Sequence, residues 1–328
     1  MYFRFVDLSW SEHYARNSNS HFQRFARVCA LNRWQSMPAS EWTLIRYSLF
    51  RFFTSQIAGP SLQVELYGIR QVHVRCGLRL EIHRNAMPML NRVTRTFKKF
   101  RPKGFRDKLP ITSPVLHRML SCLKSNNHDN QTYRAILCFA KFGMLRVSEY
   151  TSGPCGACPR VGDIRFIPDM ASAQMIAYYF RNSKTNQFRH RERVVAICQC
   201  PGPCAVHELT SMLSWRKQVT GDQFLFRLKN GKVPSARDVN AVIKRTCTAT
   251  GLDPRQFSSH GLRAGGVTDL LTMGVPAEVV QVLTRHKNID SLRPYKKPSD
   301  AALGTILCRH SDEWLMQTTA LAPGAAGH

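Results

Sequence analysis

Six side chains that can bind an anion, exchange a proton or act as a nucleophile occur in four short segments. The first segment, 143–149, contains an arginine, and the second, 183–185, contains a lysine. The third, 260–266, has the pattern His-x-x-Arg, and the fourth begins with a histidine and leads to a tyrosine. In chain order the six residues are Arg146, Lys184, His260, Arg263, His286 and Tyr295.

These residue types suit a reaction at a phosphodiester. Arg146 and Arg263 can hold the non-bridging oxygens, on which charge grows in the transition state, because a guanidinium stays charged and grips two oxygens at once. Tyr295 can attack phosphorus and form a covalent phosphotyrosine. It is the only tyrosine after Tyr179, so no other phenol competes nearby. The set lacks the paired carboxylates that phosphoryl-transfer metals require, so we expect neither a catalytic metal nor another cofactor.

Each of these residues also has a structural interpretation when it is taken alone. Arg146 could cap the end of a helix, His260 could be a helix N-terminal residue without a task, and Lys184 could be an ordinary hairpin lysine. Tyr295 could be a core or surface tyrosine. Only the joint pattern favours chemistry over these alternatives.

The order and spacing of the segments resemble the tyrosine recombinase (phage integrase) family. Glu149 follows Arg146 by 3 positions, His286 follows Arg263 by 23, and Tyr295 follows His286 by 9. The resemblance covers the second half of the chain nearly end to end. It implies a site-specific DNA recombinase or integrase that cleaves and rejoins DNA through a 3′-phosphotyrosine intermediate.

The resemblance also implies roles for the remaining residues. His260 is expected to be a general base, because a histidine exchanges protons near neutrality. Lys184, on a flexible hairpin, would protonate the leaving 5′ oxygen, and His286 would hydrogen-bond the phosphate. Glu149 is expected to be structural, bracing an active-site side chain.

The chain departs from the family pattern at two places. Arg285 stands where the family usually has glycine, which could alter the turn or add a phosphate contact. Lys184 follows Arg146 by 38 positions, longer than is usual, and the extra length lies at 151–160. The segment 286–298 also resembles the recombinases of eukaryotic mobile elements, the crypton-like group.

The charge balance points to a polyanionic partner. Lys and Arg total 47 against 21 Asp and Glu, a net charge of +26. Residues 1–108 and 109–328 each carry +13, so both halves are expected to contact double-stranded DNA. No uninterrupted apolar run would span a membrane, and no secretory signal is evident. We therefore expect an intracellular protein, nuclear if the host is eukaryotic and otherwise in the cytoplasm or nucleoid.

The predicted fold class is mainly α with a small antiparallel β-sheet, in two domains. Residues 1–108 should form a helical core-binding bundle of four helices, with break-and-cap signals at 38–40 and 59–61 and Pro88 opening the fourth helix. The bundle ends in a basic linker that is either simply solvated or lies along phosphates. Its candidate DNA contacts are Arg95, Lys98, Lys99, Arg101 and Lys103. With the second domain, the bundle would form a C-shaped clamp.

Residues 109–328 should form a mixed α/β catalytic domain. Its predicted helices are 113–123, 136–145, 205–217, 235–249, 260–273 and 276–285, and its strands are 161–167, 175–180 and 193–197. The helix at 235–249 is a plausible groove reader. Its candidate contacts are Arg237, Asn240, Lys244 and Arg245.

Some of the 11 cysteines have spacings that are typical of zinc sites. These residues are Cys155, Cys158, Cys198, Cys200, Cys204 and His207. In a three-strand meander the first pair precedes strand one and the later group follows strand three, at opposite ends of the sheet. We therefore expect reduced thiols rather than a shared zinc site.

Two other functions fit parts of the pattern. A DNA-binding protein descended from a mobile element could have lost cleavage, although all six positions are present. A type IB topoisomerase uses related chemistry, but the compact size and the helical first domain favour a recombinase. A recombinase of this kind is expected to work as a homo-oligomer, a tetramer, on DNA.

Overall fold

The computed structural model describes residues 12–100, 108–152, 158–180, 193–198, 200–286 and 288–295. These ranges contain ten α-helices and one three-stranded antiparallel sheet, which confirms the predicted fold class. The chain divides into two compact units, Met1–Arg106 and Asp107–His328. The division falls close to the predicted boundary, and the role of each unit stays a prediction.

In its described residues, the first unit has four helices around one apolar core. They are α1 Glu12–Leu31, α2 Glu41–Thr54, α3 Gly59–Arg75 and α4 Pro88–Phe100. Helix α2 begins as predicted, because Ser40 Oγ accepts a hydrogen bond from Thr43 N at 3.1 Å. The cap predicted at 59–61 is wrong in detail, because α3 begins at Gly59 and has Pro60 in its first turn.

Buried Glu65 of α3 links three of these helices. Its carboxylate accepts hydrogen bonds from Tyr47 Oη at 2.8 Å and Arg51 Nε at 2.9 Å, and it pairs with Arg24 of α1. A buried carboxylate is tolerated when cations and hydrogen bonds surround it. The network therefore fixes α1 and α2 on α3.

The second unit contains six α-helices and three short 3-10 helices in its described ranges. The α-helices are α5 Ser113–Ser121, α6 His128–Phe142, α7 Ala205–Ser214, α8 Ala236–Ala249, α9 Ser259–Thr272 and α10 Ala277–Thr284. The 3-10 helices are Val147–Glu149, Val161–Asp163 and Ile289–Tyr295. All six α-helices lie where the sequence predicted them, within a few residues, except for the start of α6.

Helix α6 differs from the prediction at both ends. It begins at His128, where the side chain of Asn127 accepts hydrogen bonds from two backbone N–H groups, and it ends at Phe142. It is buried on nearly all sides, because α5, α7 and α9 pack around it. The hydrophobic pattern alone marked only its second half.

The sheet comprises β1 Ile164–Ile167, β2 Met175–Tyr179 and β3 Arg193–Ile197, in the order β1-β2-β3. Ile167 pairs with Met175, which also pairs with Ile197, while Ile164 pairs with Tyr178 at the other end. The residues before β1 and those after β3 therefore lie at opposite ends of the sheet, as predicted. Strand β1 is shorter than predicted because Val161–Asp163 forms a 3-10 turn.

Helix α9 carries glycines in its interior, where glycine normally weakens a helix. A Cβ at Gly265 would lie 1.8 Å from Ile111 O, and one at Gly266 would lie 2.5 Å from Lys141 O. Both neighbours are backbone atoms that cannot rotate away. The glycines therefore allow the chain before α5 and the end of α6 to approach α9 closely.

In the ranges that the structure describes, none of the helices has the length and apolar character needed to cross a membrane.

We predict that Gly265→Ala destabilises the second unit. The added methyl would overlap Ile111 O, and overpacking of this kind costs about 3 kcal/mol or more. Urea denaturation of the full chain would measure the loss. Thr272→Ala, at an exposed position of the same helix, is the control and should stay within about 0.5 kcal/mol of wild type. Equal stability of the two variants would contradict the close packing described here.

Candidate active site

Arg146 is positioned by a sharp turn at the end of α6. Met144 has a positive φ of 47° and turns the chain, so that Leu145 is buried and Arg146 begins the 3-10 helix Val147–Glu149. The Arg146 backbone N–H donates to Glu149 Oε2 at 2.8 Å, and its guanidinium lies 3.1 Å from Glu149 Oε1. Glu149 thus braces Arg146, and Arg146 does not cap the end of α6.

Arg263 lies one helical turn after His260 on α9 and is only 3% exposed. Its Nη1 donates to Met144 O at 2.6 Å, and its Nη2 donates to Thr284 O. These carbonyls lie just after α6 and at the last residue of α10, so the negative ends of two helix dipoles face the guanidinium. Burial, with the charges of Arg146 and Arg285, lowers the pKa of Arg263 to about 10, so it stays charged at neutral pH.

Arg285 occupies the left-handed region, with φ 59°, directly after α10. Glycine is the usual residue in this conformation, which explains why the family usually has glycine at this position. Its Nη2 donates to Glu149 Oε2 at 2.9 Å, and its guanidinium lies 4.2 Å above the ring of Phe180. The turn is kept, and the side chain is a second cation on Glu149.

His286 is held as a neutral ring. Its Nε2 lies 3.2 Å from Arg263 Nη2, and because a guanidinium can only donate, Nε2 must accept. The proton therefore lies on Nδ1, which is 2.6 Å from Thr284 Oγ1, and that hydroxyl donates to Val280 O at 2.7 Å. Burial and the charge of Arg263 lower the pKa of His286 to about 4.

Tyr295 ends the last 3-10 helix, and its ring packs on a small apolar cluster that includes Met144 and Val280. Its hydroxyl lies 3.4 Å from His260 Nε2. Burial raises the pKa of Tyr295, and the charge of Arg263 opposes that rise. His260 is exposed, but partial burial of its ring and the charge of Arg263 lower the pKa of His260. At neutral pH a protonated phenol therefore faces a neutral imidazole.

The structure thus brings together five of the six residues predicted from the sequence. Lys184 lies outside the described residues, as do Arg101, Lys103 and Cys155. Sequence reasoning missed the pairing of Arg285 with Glu149 and the carbonyls that hold Arg263. The arginine in place of glycine was the one signal for the pairing. The carbonyls carry no sequence signal, because every residue has one.

The predicted DNA contacts on α4 and α8 are mostly exposed. This holds for Arg95, Lys98, Lys99, Arg237, Lys244 and Arg245. Asn240 differs, because its Nδ2 donates to Ala236 O at 2.7 Å and its Oδ1 accepts from Ser259 N at 2.8 Å. Since both polar atoms are engaged, we expect Asn240 to position the start of α9 rather than to read bases.

Three cysteines and one histidine converge at the end of the sheet. Their ligand atoms all lie within 4.8 Å of one another. We call them the cysteine–histidine cluster, and its members are Cys198, Cys200, Cys204 and His207. Cys158 is not part of this cluster and lies buried before β1, at the sheet's other end. The zinc-like spacing of the later group therefore corresponds to four side chains that lie together in the structure.

The family model described as the phage integrase family matches residues 111–302, more than half of the chain. All six candidate residues lie in the matched range. The chain therefore belongs to the phage integrase family, the tyrosine-type DNA breaking and rejoining enzymes. A comparison with curated protein sequences gave no significant match.

Solved structures of recombinases share the fold at low sequence identity. The Tn1549 transposon integrase in complex with transposon right end DNA has a TM-score of 0.56 and 16% identity, over 90% of this chain and 94% of that chain. A lambda integrase dimer bound to a COC′ core site has a TM-score of 0.52 and 15% identity, over 90% and 93%. The XerH site-specific recombinase bound to a palindromic difH substrate has a TM-score of 0.54 and 11% identity, over 82% of this chain and 72% of that chain.

We predict that His286 titrates near pH 4 in the DNA-free protein, because its ring is partly buried beside Arg263. A bound phosphate should raise this pKa, since its negative charge favours the imidazolium. NMR of protein labelled with ¹³C-histidine would follow the ring, with His286→Asn for assignment and Tyr295→Phe to prevent cleavage when DNA is present. A DNA-free midpoint at or above about 6.5, the ordinary value, would contradict the assigned ring state.

Proposed function

We propose that this protein is a site-specific DNA recombinase or integrase that cleaves one strand at a time through a 3′-phosphotyrosine at Tyr295. The contact between Tyr295 Oη and His260 Nε2, at 3.4 Å beside Arg263, carries the proposal. It unites a nucleophile, a proton acceptor and a fixed positive charge. Family membership gives the class of reaction, and this contact supports the assignment of the atoms.

The charges around the site favour an anionic ligand. Arg146, Arg263 and Arg285 lie around one carboxylate, that of Glu149. Three of the five N–H groups of Arg263 are used by contacts with other described residues, so two are left to reach a phosphate oxygen. Donors fixed in advance where charge develops in the transition state are the usual source of large rate enhancements.

The proton transfers follow from the ring and phenol states. Tyr295 loses its proton to neutral His260 as its oxygen attacks phosphorus, and the bond to the 5′ oxygen breaks. By family resemblance, Lys184 protonates that leaving oxygen. In the reverse step a DNA 5′-hydroxyl gives its proton back to Lys184 as it attacks the phosphotyrosine, and His260 returns the other proton to Tyr295. His286 can donate to the phosphate only after Nε2 gains a proton, which the phosphate charge favours.

The reaction in this proposal needs no divalent metal. Glu149 is the one carboxylate that contacts these side chains in the described ranges, and it is already paired with Arg146 and Arg285. A carboxylate held by two guanidiniums is a poor ligand for Mg²⁺. Arg146 and Arg263 instead supply the positive charge that a metal would supply elsewhere.

The substrate in this proposal is double-stranded DNA held by both units. The Tn1549 and lambda integrase structures are DNA complexes, and each match covers 90% of this chain, so it includes most of the first unit. Exposed Arg95, Lys98 and Lys99 on α4 support the first unit as a core-binding domain, and α8 supports a second contact. The lambda integrase structure is a dimer on DNA, which supports assembly on DNA; we propose a homotetramer.

We predict that Tyr295→Phe binds DNA with unchanged affinity and forms no covalent adduct, because it lacks only the attacking oxygen. A nicked suicide substrate, incubated with excess EDTA, should trap wild-type protein on DNA. Peptide mapping of the adduct would locate the phosphotyrosine.

Tyr179→Phe, at another partly exposed tyrosine of the second unit, is the matched control and should cleave normally. An adduct on any tyrosine other than Tyr295 would overturn the assignment. Cleavage that disappears in EDTA and returns with magnesium would contradict the metal-free mechanism. Relaxation of supercoiled DNA without strand exchange would identify a topoisomerase instead.

We also predict that the basic residues of α4 contribute to the salt dependence of DNA binding. Replacing Arg95, Lys98 and Lys99 by glutamine should make the slope of log K against log salt less steep by about 0.9 for each lost phosphate contact. Arg79→Gln is the control, because Arg79 pairs with Glu81 at 2.6 Å and its charge is already compensated. An unchanged slope in the triple variant would show that α4 does not grip DNA.

A further inference from the structure

The cysteine–histidine cluster lies where the end of the sheet meets the start of a helix. Cys198 and Cys200 follow β3, Cys204 is the N-cap residue of α7, and His207 lies in the first turn of that helix. The backbone N–H of Cys198 donates to Gln174 O at 2.8 Å, which fixes it to the turn before β2. Four ligand-type side chains therefore come from two elements that are separately anchored.

The distances within the cluster are close to those of a tetrahedral metal site. Cys200 Sγ lies 2.9 Å from His207 Nδ1, and Cys198 Sγ lies 3.6 Å from the same atom. All four ligand atoms are within 4.8 Å of one another. Zinc bonds of about 2.3 Å to sulfur and 2.0–2.1 Å to nitrogen place tetrahedral ligands roughly 3.5–3.8 Å apart. Small side-chain movements would therefore complete the shell.

We propose that this cluster is a structural zinc site with three thiolate ligands and the Nδ1 atom of His207. Binding releases the three thiol protons to solvent and leaves the imidazole neutral, with its Nε2 carrying the ring proton. Four protein ligands fill a tetrahedral shell, so the metal has no open position for water or substrate. The zinc would not contact the reacting groups of the proposed metal-free cleavage.

The position of the site shows what the zinc would hold. Strand β3 is an edge strand, and Val195 and Ile197 are 39% and 60% exposed, so apolar packing secures only part of it. Helix α7 is firmly fixed, because Glu208 accepts from Arg134 Nε and Gln131 Nε2 of α6, both at 2.9 Å. Zinc would therefore tie the weak edge of the sheet to the helix pair that leads to Arg146.

This tie gives the zinc a positioning role in addition to its contribution to folding. The segment that carries Lys184 joins β2 to β3, and the chain leads from the end of β3 directly to Cys198 and Cys200. Loss of the metal should lower thermal stability and slow cleavage through β3. DNA affinity should change little, because the exposed basic side chains of α4 and α8 lie on other elements.

The test begins with the metal content of the full-length protein purified in the presence of a thiol reductant. Mass spectrometry should find about one zinc per chain. Cys200→Ser and His207→Asn should each lower the content below about a tenth, because a structural site needs all four ligands. Cys122→Ser, at an exposed cysteine outside the cluster, is the matched control and should keep its zinc.

A second measurement uses wild-type protein and is independent of whether the variants fold. Zinc released by a mercurial reagent, followed with a chromogenic chelator, should appear as the thiols react. Cobalt(II) taken up in its place should show the visible bands of a tetrahedral ion and thiolate-to-cobalt charge transfer. Three results would each overturn the proposal: wild-type protein without zinc after growth with added zinc, cobalt uptake without these bands, or a disulfide within the cluster.

Discussion

The candidate active site depends on holding several guanidinium groups together, partly out of water. Two unit charges about 4 Å apart repel by about 4 kcal/mol near a protein surface. Glu149 offsets this repulsion by forming ion pairs with Arg146 and Arg285. The carbonyls of Met144 and Thr284 do the same for Arg263 by accepting its hydrogen bonds. These carbonyls are directed by turns at 144 and 285, where non-glycine residues adopt a positive φ. The strain of those turns is part of what places the charge.

The same constraint explains how much could be read from the sequence. Arg146, His260, Arg263, His286 and Tyr295 were identified because chemistry fixes their types and the family fixes their spacing. Most helices were found because one face of each must be apolar. The start of α6 was not predicted, because residues 128–132 are all polar and give no apolar pattern, although Gln131 and Thr132 are buried in the fold. The partners of Arg263 could not be predicted from the sequence for a different reason, because they are backbone atoms from segments distant in sequence.

Arg285 and Asn240 show a further limit, which concerns side chains whose type suits DNA but whose contacts are internal. Both were read from the sequence as possible contacts to DNA, since arginine binds phosphate and asparagine binds adenine. In the structure, Arg285 contacts Glu149 and the ring of Phe180, and Asn240 accepts a hydrogen bond from the backbone at the start of α9. Arg285 supports Glu149, which holds Arg146, and Asn240 supports the start of the helix that carries His260. The cysteines show a related limit: their spacing did not reveal that the later group lies together at one end of the sheet, apart from Cys158.

The hydrogen bonds of His286 define what a bound phosphate would have to change in the candidate site. In the structure the ring accepts from Arg263 and is neutral, so it carries no proton on Nε2. A phosphate between Arg263 and His286 would place a negative charge beside both side chains. That charge would raise the pKa of His286, so that Nε2 gains a proton and becomes a donor. The same charge would compete with Glu149 for Arg146. In the proposed mechanism the phosphate would therefore complete the electrostatic balance of the site, and the geometry that favours the transition state would exist in full only with the scissile phosphate bound.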